Sequence, residues 1–367
     1  MFDVKEHLRK LVNTHAPSGF EAPVREVIRA EWEGLVDDFE QDKLGSLIGI
    51  KRATSPLETP RRIMLAAHMD EIALMVEAIV DGFIYVHNVT GIDNRVMLSQ
   101  PVLIHGREAV PAVVAAKPPH LLTPSARQKY PSFNELIVDT GLDAETVARL
   151  IRVGDCITLD TPMIDLSGTK VAGKAFDDRA CVAAVTACLH ELQRLSHRWD
   201  VYAVATIQEE SGLIGAKTSA NFVKPDIAIA LDVTFAPQAG VNADGTCEMG
   251  GGPGIGVGPN FHIKLYDKIR DTAKRLELKL QDDVIPGASG TDAWAIQVSQ
   301  SGVPTALLEV PIRNMHSPVE TLDLRDIERA GRLMAHFIAD LDADFLTSID
   351  WDELKPASTE TSEAGQS

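Results

Sequence analysis

The sequence predicts an α/β fold: a three-layer domain on a central mixed sheet, with a small all-β, barrel-like domain inserted into it. Three observations lead there. From about residue 167, apolar strand-like runs alternate with helical runs, the pattern of helices packed on a parallel or mixed sheet. Residues 71–166 instead hold many short β-like runs separated by turn residues. The chain's 367 residues also exceed one typical core and point to about two domains.

The elements follow in order. Val4, Leu8, Leu11 and Val12 recur at helical spacing. A second helix is expected from about Ser18, because Glu21 three residues on completes a capping-box pattern; Val24, Val27 and Ile28 supply its buried face. A polar stretch and the short strand SLIGIK come next. RIMLAA, Arg62 to Ala67, reads as a buried strand running into His68-Met69-Asp70. The runs LMVEAIV, FIYVHNV, PVLIHG, VPAVVAA, LIVDTG and CITLD build the all-β piece, with one helix at Asp143 to Arg152. Helices then follow at Asp178 to Leu195, Leu213 to Phe222, Phe261 to Leu276 and Leu324 to Leu341. They alternate with strands at Val201 to Ile207, Ile227 to Leu231 and Thr305 to Val310. The expected organisation is therefore a discontinuous α/β domain, 1–70 and 167–346, a β domain at 71–166, and a disordered polar tail at 347–367.

Composition narrows the function. The net charge is −18, from 35 Lys and Arg against 53 Asp and Glu. So acidic a chain is not expected to bind nucleic acid, which draws on clustered cations. The N-terminus has no apolar leader segment, and no run approaches 18 uninterrupted apolar residues, so no membrane partner is expected. The four cysteines form no C-x-x-C pair and read as reduced packing residues. Cytoplasm is the default location.

Five segments place metal-type ligands at or just beyond a strand end, where ligands collect in open α/β sheets. His68 is followed by Asp70, a carboxylate spaced to hold the other ring nitrogen. Asp177-Asp178 reads as helix-capping acids or as a carboxylate shared by two ions. Glu209-Glu210 is the sharpest local signal, since buried like charges repel unless a cation sits beside them. Asp232 closes the run IAIAL, and His316 follows TALLEV. Each has an ordinary structural explanation alone. Together, two imidazoles and several carboxylates suit two divalent ions a few ångströms apart. The Gly250–Pro259 run, GGGPGIGVGP, lacks the Lys-Ser/Thr of a phosphate loop and the strand–helix setting of a dinucleotide site, and reads as a loop. No G-x-S-x-G run supports a serine hydrolase.

The segments HMDEIALMV, GIDNRVMLSQPV, AFDDRAC, QEESGLIGA, ALDV, GASGTDA and MHSPVET together resemble, in order, the glutamyl/leucyl aminopeptidase family of co-catalytic metallopeptidases, also called the tetrahedral aminopeptidases. Ala73 and Asn314 depart from the family's usual residues without removing a ligand. The resemblance implies that Asp177 bridges two metals, with His68 and Asp232 completing one and Glu210 and His316 the other. Choosing Asp177 over Asp178 rests on the family pattern alone. The resemblance further implies Glu209 as general base, Asp70 as the residue orienting His68, peptides as substrates, and a tetrahedral dodecamer built through the β domain; the mixed oxygen and nitrogen donors point to zinc or cobalt first, with manganese as the alternative. The rival expectations are a dimetal N-acyl amino acid deacylase and a non-catalytic assembly protein on a retired scaffold.

Overall fold

A computed structural model describes residues 2–89, 91–242 and 244–350. Its centre is an eight-stranded mixed sheet. The strand order is Asp38–Gln41, Leu47–Lys51, Asp200–Thr206, Arg62–His68, Ile227–Phe235, Thr305–Ile312, Gly254–Val257, Gln281–Val284. The four middle strands from Asp200–Thr206 to Thr305–Ile312 run parallel to one another, so their carboxyl ends share one edge. They are buried on both faces and read as continuous apolar runs for that reason.

Alternation divides these strands between two layers. Ile63, Leu65, Ile229, Leu231 and Leu308 face one core with the helices Val4–Val12, Phe176–Leu192 and Leu324–Ala339. Met64, Ala66, Ala228, Ala230 and Leu307 face the other, under Ile214–Val223 and Asp292–Gln297. The result is the three-layer α/β/α arrangement. The first helix buries Val4, Leu8, Leu11 and Val12, as its spacing predicts.

The β-rich stretch closes into a six-stranded barrel, ordered Leu74–Val80, Phe83–Asn88, Leu136–Asp139, Ala109–Ala116, Pro101–His105, Cys156–Leu159. Inward residues alternate with outward ones: in Ala109–Ala116, Val110, Ala112 and Val114 are buried while Pro111 and Val113 face out. Val76, Ile84, Val102, Val138 and Ile157 complete the barrel's own core.

Some local expectations are corrected. The second helix begins at Ala22 rather than near Ser18, and no capping box forms. Glu21 instead accepts the backbone N–H groups of Gly19, at 2.6 Å, and Gln208, at 3.1 Å, so a tertiary partner claims the carboxylate. The polar Asp38–Gln41 forms an edge strand held by antiparallel pairing to Leu47–Lys51. Part of the glycine run expected to be a loop, Gly254–Val257, is a strand clasped between Thr305–Ile312 and Gln281–Val284. Asp232 does not close its strand, which continues to Phe235. The polar tail starts later than 347: Phe345–Ser348 form a short helix, with Phe345 edge-on to Trp199 and Phe337. Residues 351–367 lie outside the described residues. The four cysteines are buried, free thiols. Among the described residues no helix is long and apolar enough to cross a membrane.

Candidate functional site

The parallel strands deliver their ligand-type residues to one place. His68 ends its strand level with Thr206. Two residues past Thr206 the chain turns through Gln208, whose φ of 52° is left-handed, and presents Glu209 and Glu210. Asp232 lies beside Glu309 on the next strand. Asp177 and Asp178 start the Phe176–Leu192 helix, where the backbone leaves helical geometry. His316 follows the Thr305–Ile312 strand and is itself left-handed, φ 58°, as are Ala175, Leu213 and Asn314 nearby in sequence. Non-glycine residues in this region cost about 1–2 kcal/mol each, and such strain concentrates where side chains must be aimed.

The geometry gathers all the residues singled out from the sequence. Asp177 presents one carboxylate oxygen to each histidine: Oδ1 lies 3.0 Å from His68 Nε2 and Oδ2 3.1 Å from His316 Nε2. Glu210 Oε1 is 3.4 Å from His316 Nε2, and Glu209 Oε2 3.9 Å from His68 Nε2. Ligand atoms of His68, Asp177 and Glu210 lie within 4.8 Å of one another; so do those of His68, Asp178 and Asp232. Asp178, which the sequence could not separate from Asp177, is fully buried and takes the His68 backbone N–H on Oδ2 at 3.2 Å. Its Oδ1 has no hydrogen-bond partner.

The electrostatics are lopsided. Burial, Asp177 and other neighbours hold the Asp232 carboxyl well above its ordinary range, and burial with Asp232 does the same to Asp178. Burial pushes Glu209 up to about 10, with Asp232, Asp292 and Glu210 adding to it against His68. Burial disfavours charge on the two imidazoles, yet the surrounding carboxylates outweigh it: His68 is raised well above its usual value, chiefly by Glu209 and Asp177, and His316 to about 11 by Asp177 and Glu210. So many acids around two imidazoles repel one another when ionised, and nearby positive charge relieves that repulsion. Oxygen-rich donors with two imidazoles and no thiolate fit a pair of divalent cations.

Supporting residues escaped the sequence reading. Asp70 was expected only behind His68, at 3.4 Å from Nδ1. It also accepts the backbone N–H groups of Glu209, at 3.1 Å, and Glu210, at 3.3 Å, and so grips the turn that carries both. Glu320 takes the N–H groups of Phe176 and Asp177 on one oxygen and of His316, at 2.8 Å, on the other. Its place in MHSPVET was the available signal. The buried Arg179 donates to the carbonyls of Leu11 and Met69 and to Glu71, tying the first helix to the end of the His68 strand. Asp292, buried, accepts from the Thr206 hydroxyl. From the barrel side the Gly91 carbonyl accepts the His316 Nδ1–H at 3.2 Å.

A cavity of about 550 Å³ opens on this cluster. Asp177, Glu209, Glu210, Asp232 and His316 line it, together with Leu213, Phe235, Asp283, Ile285 and Glu309.

The sequence and the fold are similar to those of known proteins. The model of the M42 glutamyl aminopeptidase family matches residues 45–333. The lysyl aminopeptidase of Pyrococcus furiosus is 33% identical over 342 residues, 92% of this chain and 97% of that protein. A TET aminopeptidase from a marine sediment thaumarchaeon superposes with a TM-score of 0.89 at 31% identity, covering 95% of this chain and 99% of that one. The TET1 peptidase of Pyrococcus horikoshii, which can assemble into a tetrahedron or a large octahedral shell, superposes with a TM-score of 0.81 at 30% identity, covering 92% and 100%. The chain belongs to the M42 glutamyl aminopeptidase family, hydrolases that act on peptide bonds.

Proposed function

We propose that this chain is a two-metal aminopeptidase that removes one N-terminal residue at a time from peptides. One observation carries the reading: the Asp177 carboxylate stands between the two imidazoles, one oxygen toward each, with Glu209 alongside. His68 and Asp232 would hold one divalent ion, Glu210 and His316 the other, and Asp177 both; zinc, cobalt and manganese all suit mixed oxygen and nitrogen donors. When bound, such a pair supplies Lewis acidity for a peptide carbonyl and lowers the pKa of a nearby water.

The chain's own residues do the rest. Glu209 accepts the proton of the attacking water and returns it to the departing amine. Burial, with surrounding carboxylates, holds its carboxyl high, and positive charge in the cluster would lower it toward the range of a working base. Asp70 keeps Glu209 in place through the turn and orients the His68 ring. Carboxylates on the cavity wall attract the substrate's free α-ammonium, which favours an unblocked N-terminus. That preference separates this reading from a deacylase of N-acyl amino acids, and a panel of aminoacyl nitroanilides against N-acyl amino acids measures it. Glu209→Gln keeps the side chain's size but cannot take a proton. We expect turnover to fall by about 10²–10⁴-fold with metal content unchanged; near-wild-type turnover would overturn the assignment.

Assembly into a closed homo-oligomer through the barrel domain belongs to the same proposal. The assembly of the Pyrococcus horikoshii TET1 peptidase supports it. So do Val113, Leu121, Tyr130 and Val153, which the barrel and its loops leave exposed. Light scattering on the purified chain tests for a dodecamer. Four unpaired, buried cysteines favour a reducing compartment, the cytoplasm.

A further inference from the structure

The cavity holds two acids that are neither ligands nor the base in the proposed chemistry. Glu309 sits directly beside Asp232 on the neighbouring parallel strand, and Asp283 on the edge strand Gln281–Val284. Leu231, Val233, Leu308 and Val310 point into the opposite core, so Asp232, Thr234 and Glu309 share one face. The Thr234 hydroxyl donates to Asp283 at 2.6 Å and holds that carboxylate in the wall. Glu309 is 3% exposed, lines the cavity, and its Oε2 has no hydrogen-bond partner. The strand Gly254–Val257 leaves space for it: a Cβ on Gly254 would come within 3.3 Å of the Glu309 Cβ and 3.4 Å of Oε2. The cavity walls also include Leu213, Phe235 and Ile285, and among the described residues neither Lys nor Arg lines the cavity.

We propose that this part of the cavity is the pocket for the substrate's N-terminal side chain, and that Asp283 and Glu309 select lysine or arginine there. The proposal rests on the aminopeptidase reading above. A buried carboxylate oxygen without a donor is costly. The ammonium of lysine or the guanidinium of arginine brings both donors and opposite charge. Their methylene stems suit the apolar walls of the cavity. An aliphatic side chain leaves the Glu309 Oε2 without a donor, and an acidic one adds like charge.

The test compares kcat/KM of the metal-loaded full-length chain on the p-nitroanilides of lysine, arginine, leucine and glutamate. We expect lysine and arginine to exceed leucine by about 100-fold, since a site with buried polar groups rejects a side chain that cannot pair them. In Glu309→Gln and in Asp283→Asn the lysine-to-leucine ratio should fall by about tenfold, mainly through the KM for lysine. Asp283→Lys should move the preference toward glutamate. Because the ratio compares two substrates in one sample, partial misfolding lowers both rates and leaves it unmoved. If a variant fails to fold, the wild-type panel alone decides. Preference for leucine or glutamate in the wild type, or an unchanged ratio in both isosteric variants, overturns the pocket while leaving the aminopeptidase reading intact. Turnover on none of the four substrates overturns that reading, and the pocket with it.

Discussion

Replacing Gly91 with alanine tests whether the barrel domain sets the geometry of the ligand cluster. Gly91 lies on a barrel loop with φ at 42°, and its carbonyl accepts from His316. A Cβ built there would stand 2.3 Å from His316 Nδ1 and 2.6 Å from Cε1. Ordinary contact needs about 3.5 Å, so the ring or the loop must move by about 1 Å. The left-handed backbone adds about 1 kcal/mol for alanine, a shift of a few degrees in Tm at most for a chain of this size. Displacing a group by about 1 Å in such a site costs about 100-fold in rate. Gly91→Ala should therefore lose about two orders of magnitude in kcat/KM on an aminoacyl nitroanilide, with a small change in melting. Metal analysis should show weaker retention of one of two ions, because His316 alone is displaced. Wild-type kcat/KM with both ions retained would refute the idea that the barrel loop positions His316.

Three other outcomes follow from named contacts. Asp70→Asn can accept with one oxygen where the carboxylate used two, and its amide faces an N–H; kcat/KM should drop by about 10–100-fold, read by steady-state kinetics with circular dichroism as the control. Glu71→Gln leaves the buried Lys174 and Arg179 without their countercharge, which should cost about 3–5 kcal/mol in urea unfolding at neutral pH. Burial opposes the charge on Glu71, but Lys174 and Arg179 hold its carboxyl down at about 2. The folded value lies below the unfolded one, so the stabilisation is complete above pH 4.5 and fades as pH falls through about 2. The gap between wild type and Glu71→Gln should therefore narrow in acid; a constant gap would contradict the ion-pair account. Chelation should abolish turnover and lower Tm together, since ions that bind only the folded state stabilise it, and adding back zinc, cobalt or manganese should restore both. Full activity after exhaustive chelation would remove the metal from the account.

Much of the site was visible along the chain because its parts are local. Glu209 and Glu210 are adjacent carboxylates at the end of an apolar strand, an arrangement that calls for a cation wherever the strand is buried. His68 and Asp70 are two residues apart. What was not visible needed a partner distant in sequence. Asp70 looked like a residue behind His68, yet its two oxygens reach a turn about 140 residues further on. Glu320 looked like the last acid of a motif, yet it joins the backbones of Asp177 and His316. Glu21 fitted a capping box until Gln208 supplied a competing donor.

By itself the sequence determined the alternation of strands and helices, the change to short β runs near residue 71, and the kinds of ligand at the strand ends. Those features are periodicities and neighbours, carried within a few residues. Only the tertiary structure decided that Asp177 faces both imidazoles while Asp178 turns to the His68 backbone. Likewise it alone made Gly254–Val257 a strand and brought Asp283 and Glu309 to one cavity. Those outcomes depend on which strands become neighbours, and so on long-range burial and pairing that no short window records.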